Sequence, residues 1–171
     1  DAKCGGNYAA SLLAQSVARK EGYDAVLWLD AKEHRYVEEI GAMNILFVVD
    51  GKIVTSPLHG SILPGITRDS IIRIARESEM KVQERPISIA EVTEGIEHGV
   101  LREAFGAGTA AVITPVGTIG WGGRDYLVNQ GEVGPVTRRL YKTITDMQYG
   151  KAPDPYGWIR FAESGAQSRS S

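Results

Sequence analysis

The sequence predicts a mixed α/β fold of the α+β kind, one mixed sheet with helices packed around it. Three observations carry this expectation. Short apolar runs bounded by turn residues, such as "AVLWL" at Ala25 to Leu29, read as buried strands. Asp50-Gly51 stands between two further runs and marks a tight hairpin, a connection that a purely parallel βαβ array lacks. Segments of helical period, each with start and stop residues, are interleaved with the strands.

Taken in order, Asn7 can cap a helix from Tyr8 to Lys20, with Gly22 beyond its end. Ala9, Leu12, Leu13 and Val17 share one face of it, which predicts a helix packed on a core. Ala25 to Leu29 is a strand, Asp30 to Arg35 a polar turn, and Tyr36 to Ile40 a second strand. Ile45 to Val49 and Lys52 to Thr55 form the hairpin about Asp50-Gly51. After the turn Pro64-Gly65, a helix starts at Thr67 or Asp69 and buries Ile71, Ile72, Ile74 and Ala75. Lys81 to Arg85 is a strand. Ser88 to Arg102 holds one or two short helices, broken at Gly95 or Gly99. Ala104-Phe105 leads into a strand that a glycine turn interrupts, and a hairpin is predicted over Tyr126 to Gly134. Gly134-Pro135 opens a helix that ends at Gly150, with proline in its first turn.

Composition narrows the function. Of 171 residues 43% are apolar and 23% charged, values of a globular domain that can bury a core. A net charge of −2, with no Lys/Arg run, gives no pull toward nucleic acid. No stretch approaches the roughly 20 apolar residues of a membrane span. The single cysteine, Cys4, cannot form an internal disulfide and suits a reducing cytosol. His34, His59 and His98 lack metal-ligand spacing, so no metal site is expected.

Four stretches carry candidate chemistry. Lys3 opens "KCGGNY", where glycines allow a ligand close to the backbone. In "PGITR", Pro64 to Arg68, the amides of Ile66 and Thr67 would stand at a helix N-terminus and face an anion. "GAGTAA", Gly106 to Ala111, offers a second turn with the Thr109 hydroxyl. The spacing matches neither the Walker nor the dinucleotide-binding glycine pattern. In "YVEEI", Glu38 and Glu39 face opposite ways on a strand, one solvated and one buried. Each stretch, by itself, also reads as an ordinary turn, surface lysine or strand end.

Together, "KCGGNYAASLLAQ", "VLWLD", "YVEEIGAMNILFV", "LPGITRDSI", "FGAGTAAVITPV" and "GPVTRRLYKTITDMQYG" resemble the C-terminal, larger domain of branched-chain amino acid aminotransferases. These are pyridoxal 5'-phosphate enzymes of fold type IV, the group that includes D-amino acid aminotransferase and aminodeoxychorismate lyase. The matching pieces keep their order from Lys3 to Gly150, and "EEIGAMN" and "LPGITRDS" point to the branched-chain branch.

The resemblance implies a largely antiparallel sheet forming a pseudo-barrel packed with helices. Residues 1–162 would be the cofactor-binding domain, and 163–171, small and polar, a flexible tail. It implies a transaminase of amino-acid biosynthesis, cytoplasmic and homodimeric, moving the amino group of leucine, isoleucine or valine to 2-oxoglutarate. Lys3 matches the lysine that carries the cofactor and shuttles a proton. Tyr8 matches the tyrosine on the cofactor's phenolate oxygen, and Glu39, not Glu38, the glutamate at the pyridine nitrogen. Ile66, Thr67 and Thr109 match the phosphate cup, Ala110 and Ala111 the turn that receives the substrate carboxylate, and Met43 a residue near the substrate side chain. Some relatives carry a Cys-x-x-Cys after the glycine-Thr turn; Ala111 and Thr114 stand in those places here. The family's N-terminal domain, which brings an arginine to the phosphate and aromatics to the pocket, does not precede Lys3. The chain is therefore expected to be a fragment that is inactive alone. The rival readings are another fold type IV enzyme, or a folded domain without catalysis.

Overall fold

The computed structural model of the chain describes Ala9 and residues 11–160. At its centre lies β3, Met43–Val49. Asn44 to Val48 are all buried, so this strand is covered on both faces and its burial does not alternate. Ile45 and Phe47 enter one core layer, Leu46 and Val48 the other, as the strand period of two requires.

One edge of β3 serves two partners. Its start pairs with β2, Val37–Ile40, and its end with β4, Lys52–Thr55. The other edge pairs along Asn44 to Val49 with β6, Leu101–Gly108. Outside these lie β1, Leu27–Leu29, on β2; β5, Val82–Glu84, on β4; and β7, Val112–Pro115, on β6. Among the described residues only β4 and β5 run parallel, because the chain between them crosses over through helix α2, Ile66–Glu77. The largely antiparallel mixed sheet is the predicted fold class.

Helices cover both faces. α2 and α4, Pro135–Gln148, lay Ile71, Ile74, Leu140 and Ile144 on the layer of Leu46 and Val48. α3, Ile89–Glu97, brings Ile89 and Val92 to Phe47. Beside it a separate hairpin, β8 Thr118–Trp121 with β9 Arg124–Leu127, adds Ile119. The Asp30 carboxylate accepts from the amides of Tyr36, Glu33 and Arg35, closing the β1–β2 turn. Those amides, Tyr36 foremost, hold its pKa far below the usual carboxylate range.

Several elements differ from the expectation. The predicted hairpin over Tyr126 to Gly134 lies earlier, turning at Gly122-Gly123, both at positive φ (59° and 75°). Two left-handed residues in sequence make the type I′ turn that matches strand twist, and a glycine pair adopts it at least cost. Val128 to Gly131 is instead a tight turn in which Asn129 and Gln130 take left-handed backbone angles, φ 49° and 56°. Ser88 to Arg102 gives one helix: Gly95 lies inside it, Gly99 follows it at φ 67°, and Leu101 and Arg102 belong to β6. Gly95 is kept by packing, since a Cβ there would stand 3.0 Å from the Leu101 Cβ. A further tight turn at Gly41-Ala42 joins β2 to β3.

The first helix, α1 at Ser11–Lys20, departs most. Its apolar face does not sit on the core: Leu13 is 77% exposed, and Leu12 and Val17 are also open. Leu13 and Val17 instead overlook a cleft of about 630 Å³ whose far wall includes Leu27, Ile40, Ile119 and Trp121. An amphipathic face needs an apolar partner, and none covers this one among the described residues. The helix start, with Asn7 and Tyr8, and the tail from 161 lie outside the described residues. No helix among the described residues is long and apolar enough to cross a membrane.

Candidate active site

The resemblance placed its site residues on four segments, and the sheet brings three of them together. Glu39 on β2 is paired in register with Asn44 on β3, and Asn44 with Ala107 on β6. The turn of Thr109, Ala110 and Ala111 follows two residues beyond Ala107 and is exposed. The α2 N-terminus reaches the same end through hydrogen bonds from the segment before it. The Leu63 amide donates to Glu39 Oε1 at 3.2 Å, and Asn44 Nδ2 donates to Leu63 O at 2.9 Å.

Both adjacent glutamates are half-buried, so the expected split into one buried and one solvated carboxylate does not hold. What separates them is their partners. Glu38 Oε1 accepts from the exposed Ser61 hydroxyl at 2.6 Å. Glu39 Oε1 accepts from buried Asn44 Nδ2 and from the Leu63 amide, both at 3.2 Å. The loop before α2 therefore grips β2 through both carboxylates.

α2 begins at Ile66, before both predicted starts, Thr67 and Asp69, with Gly65 as its N-cap. No side chain caps it. By contrast, Ser88 caps α3 through the Glu91 amide, and Glu103 accepts from the Val136 and Thr137 amides of α4. The first amides of α2 thus retain the donor capacity and dipole that favour an anion. The Ile66 side chain is exposed and Thr67 half-buried.

Arg68, next in sequence, does not line this end. It is 3% exposed and donates to Ser56 O at 2.8 Å and to Glu84 Oε2 at 2.9 Å, tying α2 to the segment after β4 and to β5. Burial of Glu84 disfavours its charge, yet hydrogen bonds from Arg68 and Arg76 outweigh this and lower its pKa.

Met43 is half-buried where β3 begins. Gly106 and Gly108 are not turn residues but lie in β6, and they make room for it. A Cβ on Gly106 would come within 2.8 Å of Met43 Cε, and one on Gly108 within 2.8 Å of Met43 Cγ. The sequence showed these glycines but not the side chain they accommodate. The β6–β7 turn ends at Val112 with φ 58°, a left-handed conformation that costs a β-branched residue on the order of 1–3 kcal/mol.

Lys3 and Tyr8 lie outside the described residues. Sequence reasoning overlooked Asn44 and Leu63. The polar Asn44 within the apolar "NILFV" was the available signal, because a buried amide requires partners. The cleft between α1, β1 and β8 is not lined by Glu39, Met43, Thr67 or Thr109.

The amino-transferase class IV family model matches residues 3–119. A probable branched-chain-amino-acid aminotransferase of Staphylococcus epidermidis is 56% identical over 157 residues, covering 92% of this chain and 44% of that protein. Branched-chain-amino-acid aminotransferase 2 of Bacillus subtilis is 50% identical over 158 residues, again 92% and 44%. The chain thus spans less than half the length of these curated relatives. Among solved structures, the branched-chain amino acid aminotransferase from Escherichia coli superposes with a TM-score of 0.78 at 39% identity, covering 93% of this chain and 50% of that one. A second branched-chain amino acid aminotransferase, from T.th. and complexed with N-(5'-phosphopyridoxyl)-L-glutamate, gives 0.79 at 38%, covering 94% and 50%. By sequence and by fold, the chain belongs to the amino-transferase class IV family.

Proposed function

We propose that the chain is the cofactor-binding large domain of a branched-chain amino acid aminotransferase. The observation that carries this reading is the joining of the Glu39 carboxylate to the uncapped N-terminus of α2, through Leu63 and Asn44, in a chain that matches the family. A carboxylate and an anion-seeking helix end, held as one unit, suit the two ends of pyridoxal 5'-phosphate, its ring nitrogen and its phosphate. Bound there, pyridoxal phosphate supplies an electron sink for reactions at the substrate Cα.

The chain's own residues do the rest. Glu39 keeps a proton on the ring nitrogen, because a charged acceptor beside it favours the protonated form. The Ile66 and Thr67 amides and the Thr67 and Thr109 hydroxyls bind the phosphate. Lys3 holds the cofactor covalently and moves a proton at the substrate Cα, while Tyr8 steadies the phenolate oxygen. Ala110 and Ala111 receive the substrate carboxylate on backbone amides, and Met43 borders the side chain. Leucine, isoleucine or valine would be the amino donor and 2-oxoglutarate the acceptor. The reading includes a homodimer, a cytoplasmic location and a place in branched-chain amino acid biosynthesis. The exposed Leu12, Leu13 and Val17 of α1, with Trp121 and Leu127, support burial against a further domain or subunit.

The test is to load the chain with pyridoxal phosphate, reduce with borohydride and map the labelled peptide. Label on Lys3 is expected; label on Lys20, Lys32 or Lys52 overturns the assignment. The chain should not turn over leucine with 2-oxoglutarate, whereas the longer protein should. A closed site that excludes water strengthens its polar contacts, and the chain spans 44% of the length of its curated relatives. Thr67→Ala and Thr109→Ala should each weaken pyridoxal phosphate binding by about 1–3 kcal/mol, the scale of one hydrogen bond to a charged group. Absorbance titration measures it, and affinities equal to the parent place the phosphate elsewhere.

A further inference from the structure

We propose that Asn44 is a positioning residue that clamps the Glu39 carboxylate to the turn from which α2 starts, so that the ring end and the phosphate end of the site are set together. This rests on the pyridoxal-phosphate reading of Glu39 and α2. The geometry is a closed set of three hydrogen bonds. Asn44 Nδ2 donates to Glu39 Oε1 at 3.2 Å and to Leu63 O at 2.9 Å, and the Leu63 amide donates back to Glu39 Oε1 at 3.2 Å. Leu63 is thus held by both its amide and its carbonyl, two residues before the Gly65 N-cap.

Chemistry explains why an asparagine stands here. The carboxamide offers two N–H bonds from one nitrogen, and this site uses both. Aspartate would donate neither and would set a second negative charge against Glu39. Alanine would leave the Leu63 carbonyl without its donor. Asn44 is 5% exposed, so water cannot easily take its place. Its backbone is fixed on both sides, paired with Glu39 on β2 and with Ala107 on β6.

Gly65 completes the arrangement. A Cβ at that position would lie 2.2 Å from Asn44 Oδ1 and 3.4 Å from Asn44 Cγ. The glycine of "PGITR" therefore serves the clamp as well as the turn. Both donors land on Oε1 of Glu39, so the direction of the carboxylate is set.

The test uses the 171-residue chain as parent, Asn44→Ala, Glu39→Ala and the double variant, with two readouts. The first is hydrogen exchange at the Leu63 amide, followed by NMR without cofactor. Asn44→Ala should speed that exchange by about tenfold or more, since the amide loses a held acceptor. Unchanged exchange overturns the proposal, whether or not cofactor binds. The second is titration with pyridoxal phosphate, followed by visible absorbance. Asn44→Ala should bind about tenfold more weakly, and the double variant should bind no more weakly than Glu39→Ala alone. Losses that simply add would show that Asn44 does not act through Glu39 and would overturn the proposal. If Asn44→Ala fails to fold, the isosteric Asn44→Asp replaces it, with at least as large a loss expected in both readouts. A parent that takes up no pyridoxal phosphate overturns the cofactor reading instead, and the exchange result still decides Asn44.

Discussion

Replacing Glu103 with alanine should lower the free energy of unfolding by about 3–4 kcal/mol, near the upper end of single substitutions. Glu103 is a buried carboxylate on β6 with no cationic partner in any ion pair among the described residues. It is stabilised by donors at the start of α4. Oε1 accepts from the Val136 amide at 3.0 Å; Oε2 accepts from the Thr137 amide at 2.8 Å and the Thr137 hydroxyl at 2.7 Å. Pro135 has no N–H to satisfy, so these two amides are the ones that require an acceptor. A negative charge at this helix end also complements the dipole. Alanine would strand all three donors in the core. Glutamine is the sharper control: its oxygen can serve one side of the pair, but its NH2 would confront the other donor. We expect Glu103→Gln to cost about half as much, on the order of 1–2 kcal/mol. Urea unfolding with an unchanged slope measures both. A loss below about 1 kcal/mol for alanine would mean that water reaches the helix end and replaces the carboxylate.

The same pair shows where sequence stops being legible. Gly134-Pro135 announced the start of α4, and the helix begins there. Nothing local announced that Glu103, more than thirty positions earlier, would cap it. Gly134 carries a trace of the contact, since a Cβ there would lie 2.0 Å from Glu103 Cδ, but a glycine before a proline already has a sufficient local reason to exist. Periodicity found the strands and helices because each must bury one face or two. It misplaced α1 for a related reason: the period of Leu12, Leu13 and Val17 marks an apolar face but does not say what covers it, and here the face is exposed. The hairpin over Tyr126 to Gly134 failed because Asn129, Gly131 and Gly134 resemble a turn as strongly as Gly122-Gly123 does. The order of the two signals is settled only by which flanking residue, Ile119, can enter the core. The site follows the same division. Motif resemblance named Glu39, Thr67 and Thr109, whereas Asn44 and Leu63, which hold Glu39 in place, act across strands and were invisible to spacing.

On the proposed aminotransferase reading, Glu39→Gln in an enzyme that carries this domain should lower kcat by about 10²–10³-fold, the usual scale for removing one preorganised charge at a reacting centre. Glu38→Gln should change it by less than about fivefold, the scale of one exposed hydrogen bond. The two residues are adjacent, alike and half-buried, so neither exposure nor sequence position separates them. Their partners do. Glu38 reaches Ser61, whose hydroxyl also lies 3.2 Å from His59 Nδ1 on the exposed loop. Glu39 is held by buried Asn44 and by the Leu63 amide, beside the start of α2. Glutamine at position 39 keeps the size and one acceptor oxygen, so the fold should survive. It removes the negative charge that keeps a proton on a ring nitrogen, and the loss should fall on kcat with KM little changed. Steady-state kinetics of both variants, with thermal melting as the check on folding, decides between them. Equal losses would mean that the loop of Ser61 and Leu63, and not the charge of Glu39, carries the effect. A loss at Glu38 alone would move the ring nitrogen to the opposite face of β2, and the phosphate cup would have to move with it.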